Sequence, residues 1–533
     1  MLSKLTIAGL LPLALQELNY HGLPVEGSAS RHDAKTRGAL ALTVAGIDQK
    51  VRRSWHRWGL ASSIMTASRA SLRPLAVLGC TSSAGKSLMV TALCRWFARQ
   101  GVDVAPFKAQ NMSNNARVVD GGEIGVAQWL QAIAARQEPS TFMNPVLLKP
   151  EADTRSQVVV NGQVRHDLTT MPWRDRGPYL WPAMSGALDT LRREHELVLI
   201  EGAGSPAEIN LPDLVNNRIV DYADAAALLV VDIDKGGAFA HLFGTWSLVP
   251  ETTRARLGGY VLNKFRGDAT LLEPGPAMLH EMTGLELAGV VPMVQHQLPD
   301  EEGATIRRAA PEADAVVGIV RYPYSSNLDE FQLLAHAAHV RWITNPREML
   351  DCDVIILPGS KNVAADLNWL RIQELDIALR DRAARGGCII GVCGGCMMLG
   401  GAITDIHGIE GASQGLGLLA LRTEFEADKI TRRVGITLPK ISGPFAAWTG
   451  LAVEGYEIRN GRMIDEGAAL NELFWTEGAT LATTVHGLFE EPAVVEALVG
   501  YRPPPLLEET FEHLADLIDE HLDTEMLWSM VGR

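Results

Sequence analysis

The sequence is poor in cysteine, in long apolar runs and in excess positive charge, and each scarcity excludes a class of protein. Six cysteines scattered through 533 residues are too few for a disulfide-rich secreted scaffold and are typical of a reducing compartment. No apolar stretch reaches the roughly 20 residues that span a bilayer. Lys and Arg number 48 against 63 Asp and Glu, a net charge of −15, which argues against a nucleic-acid-binding face. We therefore predict a cytoplasmic protein with neither a membrane nor a nucleic-acid partner.

What is present describes a large globular protein of two or more domains. From Leu75 onward, short apolar runs such as 197–200 and 227–231 alternate with helix-like segments such as 123–137. Such runs are typical of strands buried on both faces of a parallel sheet, so we predict doubly wound α/β architecture. A second series of runs begins at 316, after an acidic linker at 299–314. The predicted segments are an N-terminal extension without motifs (1–72), a first α/β domain (73–300), a second (314–505) and a C-terminal helix (506–533).

Residues 79–87, GCTSSAGKS, organise the first domain as a phosphate-binding loop between a strand and a helix. The backbone N–H groups of such a loop and the following helix N-terminus attract phosphate. Lys86 would reach the β- and γ-phosphates, and the Ser87 hydroxyl would bind Mg²⁺. Five residues separate the two glycines, one more than in the usual pattern, and a plain Gly/Ser-rich turn is the alternative. The predicted loop residues are Gly79, Ser82, Gly85, Lys86 and Ser87.

Polar residues follow other predicted strands of this domain, at the sheet edge where ligands bind in such folds. Glu201 is placed to hold Mg²⁺ together with Ser87, although a solvated loop glutamate is the alternative. Lys108 would neutralise phosphate charge unless it is a surface lysine. Asn263 and Lys264 resemble the base-reading Asn-Lys of several P-loop nucleotide binders, but a dipeptide alone is a weak signal.

Residues 391–395, GVCGG, form a nucleophile elbow with a thiol in the second domain. The tight turn exposes Cys393 and directs the following backbone N–H groups at a developing oxyanion. A thiol needs a base, and His486 at the end of a later strand is the candidate. The alternatives are a buried structural cysteine, or redox or metal chemistry by the pair Cys393 and Cys396.

Long motifs throughout the chain carry a family resemblance. They are PFKAQNMS (106–113), DGGEIG (120–125), NPVLLKP (144–150), DIDKGG (232–237), NKFRGD (263–268) and LPGSKN (357–362). From about Leu75 to the C-terminus, the chain resembles the glutamine-dependent cobyric acid synthases of cobalamin biosynthesis. The loop spacing also resembles the ATP site of dethiobiotin synthetases.

The resemblance implies two half-reactions. A class I glutamine amidotransferase-like domain would release ammonia from L-glutamine at a Cys393–His486 dyad, with the backbones of Gly359 and Gly394 as oxyanion hole. The P-loop ATPase domain, with ATP and Mg²⁺, would convert a carboxylate into an acyl phosphate that ammonia then attacks. The family's corrinoid substrate is adenosylcobyrinic acid a,c-diamide, amidated at four peripheral carboxylates to adenosylcobyric acid. The sequence leaves a homo-oligomer open.

Two departures from the family pattern bear on the glutaminase. Cys396 and Met397 stand where an aromatic residue and Gln are usual, and Met cannot donate the hydrogen bonds of a Gln amide, so weaker glutamine binding is expected. Gly487 and Leu488, instead of Pro-Glu, follow His486, so a dyad without a third member is expected. The alternatives are an amidase of another corrinoid or polycarboxylate, and a P-loop switch ATPase with a degenerate glutaminase domain.

Overall fold

The computed structural model describes residues 71–152, 155–294, 298, 314–504 and 506–533. The predicted N-terminal extension up to residue 70 and nearly all of the acidic linker lie outside the described residues. The chain from Ala70 to Arg533 forms one compact unit. Within it, we call residues 71–294 the first half and residues 314–504 the second half. No helix in the described ranges has the length and apolar content that a membrane crossing requires.

The first half alternates strands and helices around one main sheet. Its strands are β1 (Leu75–Gly79), β2 (Val104–Phe107), β3 (Gln110–Met112), β4 (Ala116–Val119), β5 (Gly122–Gly125), β6 (Val146–Ala152), β7 (Arg155–Val160), β8 (Gln163–Val164), β9 (Leu197–Glu201), β10 (Ala226–Asp232), β11 (Leu257–Phe265) and β12 (Glu286–Pro292). Its helices are α1 (Lys86–Arg99), α2 (Val126–Ala134), α3 (His166–Thr170), α4 (Gly177–Glu194), α5 (Asn217–Ala223), α6 (Ala238–Leu248), α7 (Glu251–Arg254) and α8 (Gly275–Thr283).

The main sheet of the first half is parallel, with the strand order β12-β11-β10-β1-β9-β2. Its central strands β1, β9 and β10 are buried along their whole length, because helices cover both faces. This double burial explains their continuous apolar runs. The strand order places the ends of β1 and β9 side by side, and the phosphate-binding loop follows β1.

Smaller sheets are inserted between β2 and β9. One has the order β3-β6-β7-β8, and β4 and β5 form a separate antiparallel hairpin. The predicted helix at 123–137 is therefore shorter than expected: residues 123–125 belong to β5, and α2 begins at Val126. This hairpin contacts the second half of the molecule, as its hydrogen bonds below show.

The second half repeats the α/β plan. Its strands are β13 (Val316–Val320), β14 (Ser325–Ser326), β15 (His339–Ile343), β16 (Val354–Leu357), β17 (Gly359–Ser360), β18 (Cys388–Val392), β19 (Ala402–Thr404), β20 (Ser413–Gln414), β21 (Leu421–Thr437), β22 (Ala452–Asp465), β23 (Phe474–Glu477) and β24 (Thr480–Thr483). Its helices are α9 (Gln332–Ala337), α10 (Val363–Ile372), α11 (Leu375–Ala384), α12 (Gly394–Leu399) and α13 (Pro492–Val499). The main sheet has the order β15-β13-β16-β18-β24-β23 and is parallel except for its last pair.

The C-terminal segment forms two helices, α14 (Leu506–His521) and α15 (Thr524–Met530), where the sequence predicts one. Both pack on the first half, although they follow the second half in the chain. On α1, the buried guanidinium of Arg95 pairs with Glu508 and Glu512 of α14. Phe511 and Leu527 belong to the same buried apolar cluster as residues of β1 and α1. The first half is therefore completed by the far end of the chain.

Candidate active sites

The phosphate-binding loop joins β1 to α1 in the predicted way, and its two glycines are required by close contacts. Gly85 has a φ of 100°, and a Cβ there would lie 2.1 Å from Asn263 Nδ2. A Cβ on Gly79 would lie 2.7 Å from Lys86 Nζ, since the lysine side chain folds back along the loop. Lys86 Nζ donates to the carbonyl oxygens of Thr81, at 3.3 Å, and Gly204, at 2.9 Å. Ser82 is exposed in the loop.

Glu201, at the end of β9, contacts two other predicted residues of this site, Ser87 and Lys108. Its Oε1 accepts from Ser87 Oγ at 2.8 Å and pairs with Lys108 Nζ at 2.8 Å. Burial by itself raises the pKa of Glu201, but Lys108 and hydrogen bonds from Gln131 and Ser87 lower it overall, so the carboxylate is charged. A serine hydroxyl beside a charged carboxylate is a donor set that suits Mg²⁺.

Two glutamines on α2, which no sequence motif predicts, also contact Glu201. Gln131 Nε2 donates to Glu201 Oε2 at 2.5 Å, and Gln128 Nε2 lies 3.4 Å from the same oxygen. Both glutamines are buried. The two glutamines are three residues apart, which places them on one face of the helix. This spacing is the sequence feature that could have predicted their joint contact with Glu201.

Asn263 and Lys264 reach the loop from the end of β11. Asn263 Nδ2 donates to the carbonyl oxygen of Ala84 at 2.9 Å, and Lys264 Nζ donates to that of Ser83 at 2.6 Å. Lys264 Nζ also pairs with Asp232 Oδ2 at 2.9 Å. These contacts support the loop backbone, and base reading by the two side chains stays a prediction.

In the second half, Cys393 lies at a sharp turn between β18 and α12. Its φ of 51° and ψ of −105° are unusual for a residue with a side chain, as a nucleophile elbow requires. The flanking glycines are required by packing, because a Cβ on Gly395 would lie 2.0 Å from the carbonyl oxygen of Leu357 and one on Gly391 2.5 Å from Leu399 Cδ1. Cys393 Sγ is buried and lies 3.8 Å from the carbonyl oxygen of Ile458.

His486 follows β24 and lies beside Cys393, and its side chain has a second hydrogen-bond partner. Its Nδ1 lies 2.9 Å from Glu330 Oε1, and the N–H of Gly487 donates to Glu330 Oε2 at 3.0 Å. The expectation of a dyad without a third member was therefore wrong. Glu330 lies in a 3-10 turn, Leu328–Phe331, far upstream of His486 in the sequence. The residues next to His486 therefore could not predict this contact.

These neighbours determine the charge of His486. Burial alone would lower the pKa of the imidazole, but the adjacent Cys393 and Glu330 raise it to about 10. Both His486 and Glu330 are buried, so little solvent screens the interaction. The geometry favours an imidazolium held between a sulfur and a carboxylate.

The two predicted oxyanion-hole glycines come together beside these side chains. A Cβ on Gly359, in the two-residue strand β17, would lie 2.9 Å from His486 Cε1. A Cβ on Gly394 would lie 2.6 Å from the backbone nitrogen of Ser360. The backbone at Gly359 therefore lies close to His486, and that at Gly394 close to Ser360, only because both residues lack side chains. Their role as oxyanion donors stays a prediction.

Comparison with known proteins gives a family match for each half. Residues 75–303 match a family model described as the CobQ/CobB/MinD/ParA nucleotide binding domain, and residues 316–494 match the CobB/CobQ-like glutamine amidotransferase domain. The cobyric acid synthase of Variovorax paradoxus (strain S110) is 52% identical over 477 residues, which cover 86% of this chain and 99% of the relative. The chain belongs to the cobyric acid synthase family.

Other cobyric acid synthases match to the same extent. That of Polaromonas sp. (strain JS666 / ATCC BAA-500) is 48% identical over 500 residues, covering 86% of this chain and 98% of the relative. That of Paracidovorax citrulli (strain AAC00-1) is 52% identical over 479 residues, with 85% and 97% covered. The predicted family and fold class are thereby confirmed. The switch-ATPase alternative loses its support, because these relatives align with both halves.

In this member of the cobyric acid synthase family, Cys396 and Met397 belong to the core. Both are buried in one apolar cluster of the second half. A Cβ on Gly461 would lie 2.6 Å from Met397 Cε and 2.8 Å from its Sδ, so the methionine fills the space beside a glycine of β22. Burial, reinforced by the neighbouring Cys393, raises the pKa of the Cys396 thiol, which disfavours its thiolate form. Cys393 and Cys396 are both free thiols.

Proposed function

We propose that this chain is an ATP- and glutamine-dependent amide ligase that converts adenosylcobyrinic acid a,c-diamide into adenosylcobyric acid by amidating four peripheral carboxylates. The observation that carries the proposal is the presence, in one compact unit, of a Cys393–His486–Glu330 constellation and a P-loop with Ser87 and Lys108 on Glu201. The cobyric acid synthase relatives support the corrinoid as substrate. ATP and glutamine are cytoplasmic metabolites, so we assign the reaction to the cytoplasm.

In the glutaminase reaction, Cys393 attacks the side-chain amide carbon of glutamine. His486 already carries the thiol proton in the resting site, and it gives this proton to the leaving nitrogen as ammonia departs. Backbone N–H groups of Gly359 and Gly394 stabilise the oxyanion. Water then hydrolyses the thioester to glutamate and frees the thiol. Glu330 holds the imidazole in the tautomer and orientation that this proton transfer needs.

In the ligase reaction, the substrate carboxylate takes the γ-phosphoryl group of ATP, giving ADP and an acyl phosphate. Lys86 and Lys108 neutralise phosphate charge, and the loop backbone orients the transferred group. Ser87 and Glu201 would hold Mg²⁺, which supplies further charge neutralisation at the phosphates. Ammonia attacks the acyl carbon, inorganic phosphate leaves, and the amide remains after loss of a proton.

The test compares two nitrogen sources. The Cys393→Ala variant is expected to lose glutamine-dependent amidation by a factor of at least about 10³ and to keep amidation with ammonium salts. Lys86→Ala is expected to lose both, because phosphoryl transfer precedes either route.

The control is Cys388→Ala, which replaces a half-buried thiol at the start of the same strand β18 and should retain both activities. Amide product is measured by mass spectrometry, with cobyrinic acid and its a,c-diamide as alternative substrates. If Cys393→Ala loses glutamine-dependent and ammonia-dependent amidation equally, the assignment of Cys393 to ammonia release alone is wrong.

A further inference from the structure

The turn that carries Glu330 is attached to the first half of the molecule. The backbone N–H of Ala116, at the start of β4, donates to Asn327 Oδ1 at 3.1 Å. The N–H of Leu328 donates to Asn115 Oδ1 at 3.3 Å. All four residues are buried. The carboxylate that orients His486 is therefore placed by contacts with the nucleotide-binding half as well as by its own half.

Arg117, also on β4, is the centre of this contact. Its Nη2 donates to the carboxylates of Asp329 and Glu490, and its Nη1 donates to Tyr456 Oη at 2.7 Å. The guanidinium also lies over the Tyr456 ring, 5.2 Å from its centroid. Arg117 and Asp329 are buried, which strengthens their charged hydrogen bond. One side chain of the first half thus holds three side chains of the second.

Two of these three residues are linked to His486, one directly and one through Glu330. Asp329 immediately precedes Glu330. Tyr456 stacks on His486, with ring centroids 5.3 Å apart and an interplanar angle of 20°. The backbones of Tyr456 and His486 also exchange hydrogen bonds, of 2.8 and 3.1 Å. Arg117 therefore contacts Tyr456, which stacks on the imidazole, and Asp329, which precedes the carboxylate that binds the imidazole. Arg117 does not contact the imidazole itself.

We infer that Arg117 is a positioning residue of the glutaminase, supplied by the nucleotide-binding half, and that it holds Glu330 and Tyr456 around His486. The inference rests on the proposed glutaminase role of Cys393 and His486. A planar guanidinium donates in fixed directions to several acceptors at once, which a lysine ammonium does at fewer sites and with looser geometry. Because small displacements of a catalytic group cost up to about a hundredfold in rate, loss of Arg117 lowers turnover and leaves glutamine binding intact.

The experiment measures glutamine hydrolysis without corrinoid and ammonia-dependent amidation in the full-length protein. Arg117→Met is expected to lower kcat for glutamine hydrolysis by about 10- to 100-fold, with KM for glutamine and ammonia-dependent amidation within about twofold of wild type. Arg117→Lys keeps the charge opposite Asp329 and is expected to recover part of the kcat. The rate of Cys393 alkylation by iodoacetamide should fall in the same order, because it reports the thiol and its base without turnover.

The matched control is Arg433→Met. Arg433 lies on β21 in the second half and reaches the same strand β4, where its Nε donates to the carbonyl oxygen of Val118 at 3.1 Å. It pairs at the surface with Glu138 at 3.3 Å. This variant removes an arginine from the same interface at a distance from the Glu330 turn, and all its rates should match wild type.

Three results would overturn the inference: an unchanged kcat in folded Arg117→Met, a rise in KM alone, or an equal loss of ammonia-dependent amidation. If Arg117→Met does not fold, Arg117→Lys carries the test, and a wild-type kcat for that variant overturns the requirement for a guanidinium. Wild-type protein that hydrolyses no glutamine contradicts the proposed function instead, so the two failures are distinguishable.

Discussion

Glu330 is a buried carboxylate that contacts His486, the proposed base of the glutaminase. Burial alone would favour a neutral imidazole. Cys393 on one side and Glu330 on the other together raise the pKa of His486 to about 10. At neutral pH the histidine therefore carries a proton, which in the proposed reaction it gives to the leaving nitrogen.

The charge on Glu330 can be tested by its pH signature. In Glu330→Gln the side chain keeps its size but loses its charge, so the pKa of His486 should fall. Since the imidazolium is lost above that pKa, the alkaline limb of kcat/KM for glutamine hydrolysis should move to lower pH, and kcat should fall by about tenfold or more. The ammonia-dependent pH profile is the control and should match wild type. An alkaline limb that stays in place would show that Glu330 does not set the charge of His486.

At the residue scale, the sequence indicates candidate site residues where the motif is contiguous. Lys86, Ser87 and Cys393 stand in contiguous motifs, because a phosphate loop and a nucleophile elbow are each formed by consecutive backbone groups. Glu330 and Arg117 were not found, because their partners lie on other elements and no fixed spacing joins them. Their common property is burial of a charge, which a sequence alone does not display.

At the scale of elements, α14 shows what periodicity reveals and what it leaves out. The pattern predicts a helix with an acidic face, but it does not name the surface that this face meets. In the structure, Arg99 of α1 pairs with Asp516 at 2.6 Å and Asp519 at 3.3 Å. Trp96 Nε1 of α1 donates to Asp519 Oδ1 at 2.6 Å. The helix that begins at the phosphate loop is thus covered by the C-terminal helix, a contact between residues more than 400 positions apart.

The strength of this contact can be measured at Phe511. Its side chain is fully buried in the cluster shared with α1, and Arg95 lies over its ring at 5.2 Å. Phe511→Ala should lower the free energy of unfolding by about 3–5 kcal/mol, followed in urea by the fluorescence of Trp96 and Trp528, whose rings are 5.4 Å apart.

The matched control is Phe243→Ala on α6, because that ring is 41% exposed and its loss should cost under about 1 kcal/mol. Similar unfolding curves for the two variants would contradict a stabilising role for α14.

At the scale of the whole molecule, the two α/β sheets were predictable and the connection between them was not. Apolar runs identify parallel strands because both sheet faces are covered. The hairpin β4–β5 lies outside those sheets, and its residues 123–125 follow a pattern that is typical of a helix. Yet β4 carries Arg117 beside the candidate glutaminase site, and α2, directly after β5, carries Gln128 and Gln131 at the candidate ATP site. One continuous segment therefore contacts both centres.

The segment before residue 71 lies outside the described residues, and its role is tested by removing it. Family models begin at residue 75, and the cobyric acid synthase relatives match 85–86% of this chain with 97–99% of their own length. Part of this chain therefore has no counterpart in them. Deletion of residues 1–70 should leave amidation from glutamine and from ammonia within about twofold of wild type, measured as amide product at saturating ATP.

Deletion of 506–533 is the contrasting truncation: it exposes the buried surface of α1, so both activities should be lost. Because no predicted site residue precedes Gly79, a soluble 71–533 protein that binds ATP but makes no amide would show that the N-terminal segment takes part in the reaction.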